Sequence, residues 1–559
     1  MRTTLLSRLL LTLLGFAGGL SGQTVVPETN ITPDEHASRF LAQATFGPST
    51  EAIAELRGLG YNYSAWIDRE VAKPVTLAAP LVTAARDSGQ ITTITNAHNR
   101  RARNQVMIAG SDQLRQRVAY ALSQIFVISD NIAAISNANE GSSSYYDMLA
   151  RNSFGTFRQL LYDVTRHPMM GRFLSHYKNR KANPTAGTRP DENYAREVMQ
   201  LLSIGLYQLN PDGTYQTDGT GRPLDAYTNS QITEFARVFT GFTDESASNT
   251  GTGTGRTDFP SAAQNYTAPM RMWDPQHDTG AKNLLSYAGA RKPALPAGQT
   301  GLQDIDDAID NLVEHPNTGP FIGRLLIQRL VTSNPSDGYV ARVAATFANN
   351  GRGQRGDMVA VIKAILLDQE ARQLAFVLDP EHGKLREPFV RVTHLLRAFR
   401  FNVSGTLLPY DFGSAVTETT IGQYPMSSPS VFNFYLPDYE PPGALAAAGL
   451  VGPEFQILNS VFGITTPNAV YNLIHTNSGN FTLDLAPQAA VSDNAGALVD
   501  NIDLLLTHGT LSSGTRQQVI TAINGVTTAM VPTGSTLALT KARLAVYLIA
   551  VSPDFAALK

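Results

Sequence analysis

The chain has 559 residues, 43% hydrophobic and 16% charged, with a formal net charge of −3. This globular, low-charge composition excludes a disordered chain, and no basic domain or Lys/Arg-rich run gives the footprint of a nucleic-acid binder. There is no cysteine, which excludes disulfides, thiolate metal sites and a cysteine nucleophile and leaves stability to packing.

In chain order, the N-terminal stretch MRTTLLSRLLLTLLGFAGGLSGQ comes first. It carries Arg2 and Arg8, then an apolar run, then small residues. That layout predicts a secretory signal peptide over residues 1–22, with Gly19 and Ser21 before the cut. The competing reading, an uncleaved anchor, is weaker, because the apolar run is about 12 residues and a bilayer needs ~20. The expected location is periplasmic or extracellular, and a large cysteine-free exported chain fits a bacterial envelope. Residues 23–33 read as an extension and 34–559 as one large helical domain, with a less integrated section over 475–540. No segment after signal cleavage is apolar and long enough to span a membrane.

Helical periodicity dominates the rest. In 112–129, Leu114, Val118, Leu122 and Ile125 recur at helical steps. Ile322, Leu325, Leu326 and Leu330 do the same in 314–331. Asp357 is placed to cap an apolar helix over 358–368, and Pro388 fits the first turn of a helix over 386–400. A last helix is predicted over 541–558. Convincing alternating strands are few. The fold class is therefore mainly α: a large, irregular multi-helix domain with long loops and a few short strands or hairpins. Among the loops, 210–225 misses the EF-hand offsets and reads as a hairpin or surface loop. The stretch 243–267, rich in Gly, Ser and Thr, reads as mobile. The stretch 423–443 is rich in Pro and aromatics and is expected to pack.

The candidate chemistry starts at PDENYAREVMQLLSIGLYQL, residues 190–209. Asp191 is placed as an N-cap, Glu192 and Arg196 are four apart and can pair, and Glu197 lies on a neighbouring polar stripe. This reads first as a capped helix with one ion pair, and in the alternative as one side of a site. A second helix, TNSQITEFARVFTGFT (228–243), opens with Thr228 and Gln231 at capping-box spacing. It presents Glu234 and Arg237, another acid and base three apart. The turn-like WDPQHDTGAKNLL (273–285) adds His277 and Asp278, residue types that suit a zinc, manganese or iron site when gathered with further ligands. The candidate catalytic residues are thus Glu192, Arg196, Glu197, Glu234 and Arg237, and the candidate metal ligands His277 and Asp278. His167 and His315 each precede a proline and read as helix-entry punctuation, and His394 as a packed core residue. Ser175 and Lys178 match S-x-x-K, but K-T-G is absent, so a penicillin-binding-type site is not supported. G-x-S-x-G, H-E-x-x-H and Walker A patterns are also absent.

Several blocks, ASRFLAQATFGPS (37–49), LRQRVAYALSQIFVIS (114–129), ENYAREVMQLLSIGLYQL (192–209), FARVFTGFT (235–243), HDTGAKNLL (277–285) and GKLREPFVRVTHLLRAF (383–399), together resemble the bacterial family called domain of unknown function 1800. Gln200 stands where an acid often takes the middle place of Met199-Gln200-Leu201, which argues against a required carboxylate there. The resemblance implies an exported, largely helical bacterial protein, often encoded beside an exported alkaline-phosphatase-like protein. It supplies no reaction and no cofactor. The leading function is a non-catalytic cell-envelope scaffold or partner-binding protein, with 423–443 as a contact surface. The alternative is an envelope or secreted hydrolase, metal-dependent or not, using the acid/Arg/His cluster on a polymer or glycan.

Overall fold

The computed structural model describes residues 31–245, 258–260, 264–476 and 479–559. The signal-peptide stretch and most of the Gly/Ser/Thr-rich loop lie outside the described residues. The fold is mainly α, as expected. Helices used below are α1 (Pro33–Ala44), α2 (Tyr63–Ala72), α3 (Asn96–Ala109), α4 (Gln113–Ser123), α5 (Gly141–Asn152), α6 (Pro168–Phe173), α7 (Asn193–Gln200) and α8 (Asn229–Val238). They continue with α9 (Gly301–Glu314), α10 (Thr318–Leu330), α11 (Pro388–Ala398), α12 (Ser460–His475), α13 (Ala495–Leu506) and α14 (Leu537–Ala550). Strands pair only as short antiparallel couples, such as Phe242–Thr243 with Arg271–Met272 and Lys384–Leu385 with Ala557–Leu558. No described helix is long and apolar enough to cross a membrane.

The predicted apolar stripes form the core. Leu114, Val118 and Leu122 of α4, Ile322 and Leu326 of α10, and Phe389 and Leu396 of α11 belong to one hydrophobic cluster that runs from Ala37 to Phe555. The section 475–540 contributes α13, whose Leu498, Val499 and Ile502 join this cluster. Ser38 of α1 donates to the Leu504 carbonyl of α13. The loop 210–225 closes as a hairpin with bridges Leu209–Tyr215 and Thr217–Pro223.

Helix starts are capped by nearby side chains. Thr32, Thr228 and Thr300 make capping boxes, and Asp357 accepts from the amides of Val359 and Ala360. His167 and His315 each accept an amide two residues on, from Met169 and Asn317, which is the punctuation the sequence suggests.

Helix ends are different, because buried and half-buried cations from distant parts of the chain donate to their last carbonyls. Arg355 reaches Val313 O (2.8 Å) and His315 O (2.9 Å) at the end of α9. Lys384 reaches Gln328 O (2.7 Å) and Arg329 O (3.0 Å) at the end of α10, where Arg117 also donates to Arg329 O. Arg386 meets Leu506 O of α13, Arg391 meets Ala550 O of α14, Arg115 meets Val71 O of α2 and Arg397 meets Ile108 O of α3. A cation at a helix C-terminus satisfies orphan carbonyls and opposes the negative end of the dipole, worth up to ~2 kcal/mol when partly buried. Burial lowers Arg386 to about 9 and Arg391 to about 10, so both stay charged near neutrality.

Two expectations need correction. The segment 190–209 is not one helix. α7 stops at Gln200, the amides of Ile204 and Gly205 both turn back to Met199 O, and Leu206 is exposed. Gly205 adopts φ +75° with Phe321 against it, so a side chain there has no room. Asp191 lies one residue before the cap, which is Glu192. The closing helix over 541–558 is also broken: α14 ends at Ala550, and Ser552-Pro553 starts a separate turn, Pro553–Ala556.

Candidate functional site

Four of the five nominated acid–Arg residues, Glu192, Arg196, Glu234 and Arg237, fall on one corner, where α7 packs on α8. Glu192 accepts from Thr233 Oγ1 of α8 at 2.9 Å and pairs loosely with Arg196 at 3.6 Å, both side chains more than 40% exposed. Arg237 grips Asp278 with two bonds of 3.0 Å and donates to Glu234 at 2.8 Å and to Ala281 O at 2.9 Å. Glu234 also accepts the amide of Asn283. Burial raises the Asp278 carboxyl, but the Arg237 bonds outweigh it and hold it below the ordinary range. The structure thus joins Glu234, Arg237 and Asp278, and ties Glu192 to the same helix. Each group is already matched to another protein group.

His277 and Asp278 are neighbours in sequence but serve separate networks. His277 is fully buried; Nδ1 meets Thr240 O at 3.0 Å and Nε2 meets Asp304 Oδ2 at 3.0 Å. Lys282 Nζ donates to the same Asp304 oxygen at 2.5 Å. Both imidazole nitrogens are engaged, Nδ1 in holding the turn to the end of α8 and Nε2 in holding it to α9. Among the described residues, no group of three or more His, Asp or Glu is placed to hold a metal ion.

Glu197 stands apart. It is buried, with Oε2 lacking a hydrogen-bond partner. Burial pushes its carboxyl up, with Arg196 partly opposing the shift. The Tyr227 hydroxyl also lacks a partner, and burial and the Glu197 charge push it up to about 12.

The helix start at Asp191 also borders an open cavity of about 610 Å³. Asp191 accepts from Ser175 Oγ at 2.9 Å, and Ser175 lines the cavity with Arg172 and Tyr177. Arg172 of α6 pairs with buried Asp244 at 2.7 Å and lies 4.1 Å from the ring centre of Tyr177 and 5.0 Å from that of Tyr266. The Tyr177 hydroxyl donates to the other Asp244 oxygen. Burial, then this bond, raises the Tyr177 phenol well above its ordinary value.

Sequence reasoning missed a charge centre inside the molecule. Glu387 Oε2 accepts from Tyr120 (2.7 Å), Gln423 (2.5 Å) and Gln124. Lys384 pairs with Glu454 at 2.9 Å, and Arg329 lies 4.5 Å from the Tyr435 ring centre. Burial opposes ionisation of Glu387, but Lys384, Arg117 and Arg329 outweigh it and hold the carboxyl below its usual value. All five charged residues are at most 6% exposed. The adjoining chamber, lined in part by Tyr120, Gln124 and Asn433, measures 10 Å³, about one water's worth of room. A signal for the centre exists. Arg117 is three residues after Leu114, and Arg329 three after Leu326, so both arginines lie on the apolar stripes of their helices.

The surface offers a further feature. Phe432, Leu436, Leu458, Val461 and Ile464 are exposed, Ile464 at 59%. Leu436 N donates to Gln456 Oε1, which brings the two stretches together. From Pro441 to Ile474 the only charged residue is Glu454, and it is buried. The stretch 432–436 alternates: Asn433 and Tyr435 point inward to the charge centre, and Phe432 and Leu436 outward.

Residues 39–557 match the family model described as Protein of unknown function (DUF1800). The chain belongs to the DUF1800 family. No curated protein and no solved structure matches it. The DUF1800 match includes the corner, the charge centre and the exposed apolar face.

Proposed function

We propose that this DUF1800 protein is a non-catalytic cell-envelope protein that binds a partner through the apolar face formed by Phe432, Leu436, Leu458, Val461 and Ile464. The signal-peptide pattern of residues 1–22 supports export. The observation that carries the reading is the face itself: five large apolar side chains left in water. Contiguous exposed apolar surface marks interaction sites in proteins that otherwise keep it covered. The acid–Arg residues support the same reading from the other side, since they neutralise one another rather than converge on a reacting atom.

The partner nominated by the family resemblance is the co-encoded exported alkaline-phosphatase-like protein. The test is a binding titration between the two purified proteins, with the full mature chain and a Val461→Glu/Ile464→Glu variant. Both positions are exposed, so the variant should melt as the parent does. Binding by the parent and at least tenfold loss in the variant is expected, the cost of burying an unpaired charge in an apolar interface. If the parent fails to bind, the nominated partner is wrong. If the parent instead self-associates and the variant does not, the occupant is a second copy.

A second reading, acid–base chemistry, has one observation in its favour: the raised, half-orphaned carboxyl of Glu197 beside the orphaned Tyr227 phenol. Perturbed carboxyls are common at catalytic sites. Hydrolysis of a glycan or ester substrate that Glu197→Gln abolishes, with folding intact, would favour it over the scaffold.

A further inference from the structure

We infer that the cavity beside α6 is a binding site for a neutral, polyhydroxylated ligand, a sugar or a segment of glycan. At about 610 Å³ it falls within the ~300–1,000 Å³ typical of small-molecule sites. Its chemistry selects the ligand class. Among the described residues lining it, Arg172 is the one that carries a charge, and Asp244, at 2.7 Å behind it, offsets that charge. A phosphate, a carboxylate or an ammonium ion would meet no uncompensated opposite charge among these described lining residues.

The remaining polar lining is neutral and two-sided. Asn137 and Gln264 carry amides, Ser175 a hydroxyl, and Tyr177 and Tyr266 phenols. Amides and hydroxyls donate as well as accept, which is what a sugar hydroxyl requires of its partners. The two tyrosines also bring flat apolar area with a polar tip, the complement of a pyranose face and edge.

The wall is built before any ligand arrives. Ser175 holds a left-handed backbone, φ +62°, and its Oγ is tied to Asp191. Arg172 donates to Pro168 O and to Asp244, and Tyr177 is bonded to the same carboxylate. Groups fixed this way lose little freedom on binding, and non-glycine residues in this backbone region persist where the surroundings over-determine them. Asn137 and Gln264, in contrast, are exposed, and Gln264 accepts from the Tyr266 hydroxyl beside it. The site is separate from the apolar face of 432–464, and the inference does not depend on the scaffold reading.

The test is calorimetric titration of the full mature chain with three neutral trisaccharides, maltotriose, cellotriose and the N-acetylglucosamine trimer, and with a galacturonic acid trimer as anionic control. At least one neutral trimer is expected to bind, and the anionic one more weakly or not at all. Asn137→Ala and Gln264→Ala should each weaken binding about tenfold, the loss of one hydrogen bond, without lowering the melting temperature. Val461→Glu/Ile464→Glu should leave sugar binding unchanged, so failure here and failure of the partner-binding reading are told apart. No binding of any neutral trimer at 10 mM (roughly the weakest affinity a sugar site shows), tighter binding of the acid trimer, or binding indifferent to both alanine substitutions would overturn the assignment.

Discussion

Two charged regions of the molecule answer to different physics. At the α7–α8 corner, Glu192, Arg196, Glu234, Arg237 and Asp278 pair at or near the surface, between residues close together in sequence or across one helix contact. At the inner centre, Arg117, Arg329, Lys384, Glu387 and Glu454 come from four separate segments and are almost wholly buried. A surface pair is screened and worth about 0–1 kcal/mol, whereas breaking a buried pair leaves a charge in low dielectric at ~3–5 kcal/mol. The corner looks more like a site in sequence, and the centre matters more to the fold.

The contrast can be broken by substitution. Lys384→Met should have the largest effect, lowering unfolding free energy in urea by about 3–5 kcal/mol, because Glu454 loses its partner and α10 its C-terminal cap. A loss below about 1 kcal/mol would put the centre on the same footing as the corner. Next comes acid. His176 is buried, stacked 3.9 Å from Tyr194, and burial lowers it from 6.5 to about 4. His167 is lowered to about 3 for the same reason. A histidine held neutral in the folded state contributes stability above its unfolded pKa that is lost as pH falls through the folded value. Stability should therefore be flat above pH 6.5 and fall from there toward pH 4, by about 2 kcal/mol per such histidine at pH 5. Unfolding curves recorded across that range check it, and a fall that begins only below pH 4, where carboxylates titrate, would refute it.

Within the corner, Arg237→Ala should cost about 1–2 kcal/mol in thermal unfolding, since three hydrogen-bonded partners lose a charged donor. Arg196→Gln should cost less than about 0.5 kcal/mol, its pair with Glu192 being exposed. Equal effects for the two would mean that the corner acts as one network rather than as a clamp beside a loose pair.

What was legible in the sequence follows from how far apart cooperating residues lie. Helix starts were readable because cap and helix are adjacent: Asp357, and Thr228 with Gln231, were identified from local spacing alone. The ends were not, because their caps are Arg355, Arg386, Arg391 and Lys384, tens of residues or more away. The premature end of α7 turns on the fit of Gly205 against Phe321, a tertiary contact with no local signature. Glu234, Arg237 and Asp278 were nominated from residue type, and the structure brings them together. It places His277 instead with Asp304 and Lys282, which nothing local to His277 signals. The centre was missed although Arg117 and Arg329 interrupt apolar stripes, since a single arginine on such a stripe does not say which carboxylates will meet it.

The proposal that ties these regions together is that ionic chemistry holds this protein in shape while its apolar face does the binding. The most direct measurement compares Val461→Glu/Ile464→Glu with Arg237→Ala in one titration against the proposed alkaline-phosphatase-like partner, with melting recorded for both. The account predicts that the face variant melts normally and loses the partner, while the Arg237 variant melts lower and keeps it. Retained binding by the face variant, with binding lost in a still-folded Arg237 variant, would contradict it.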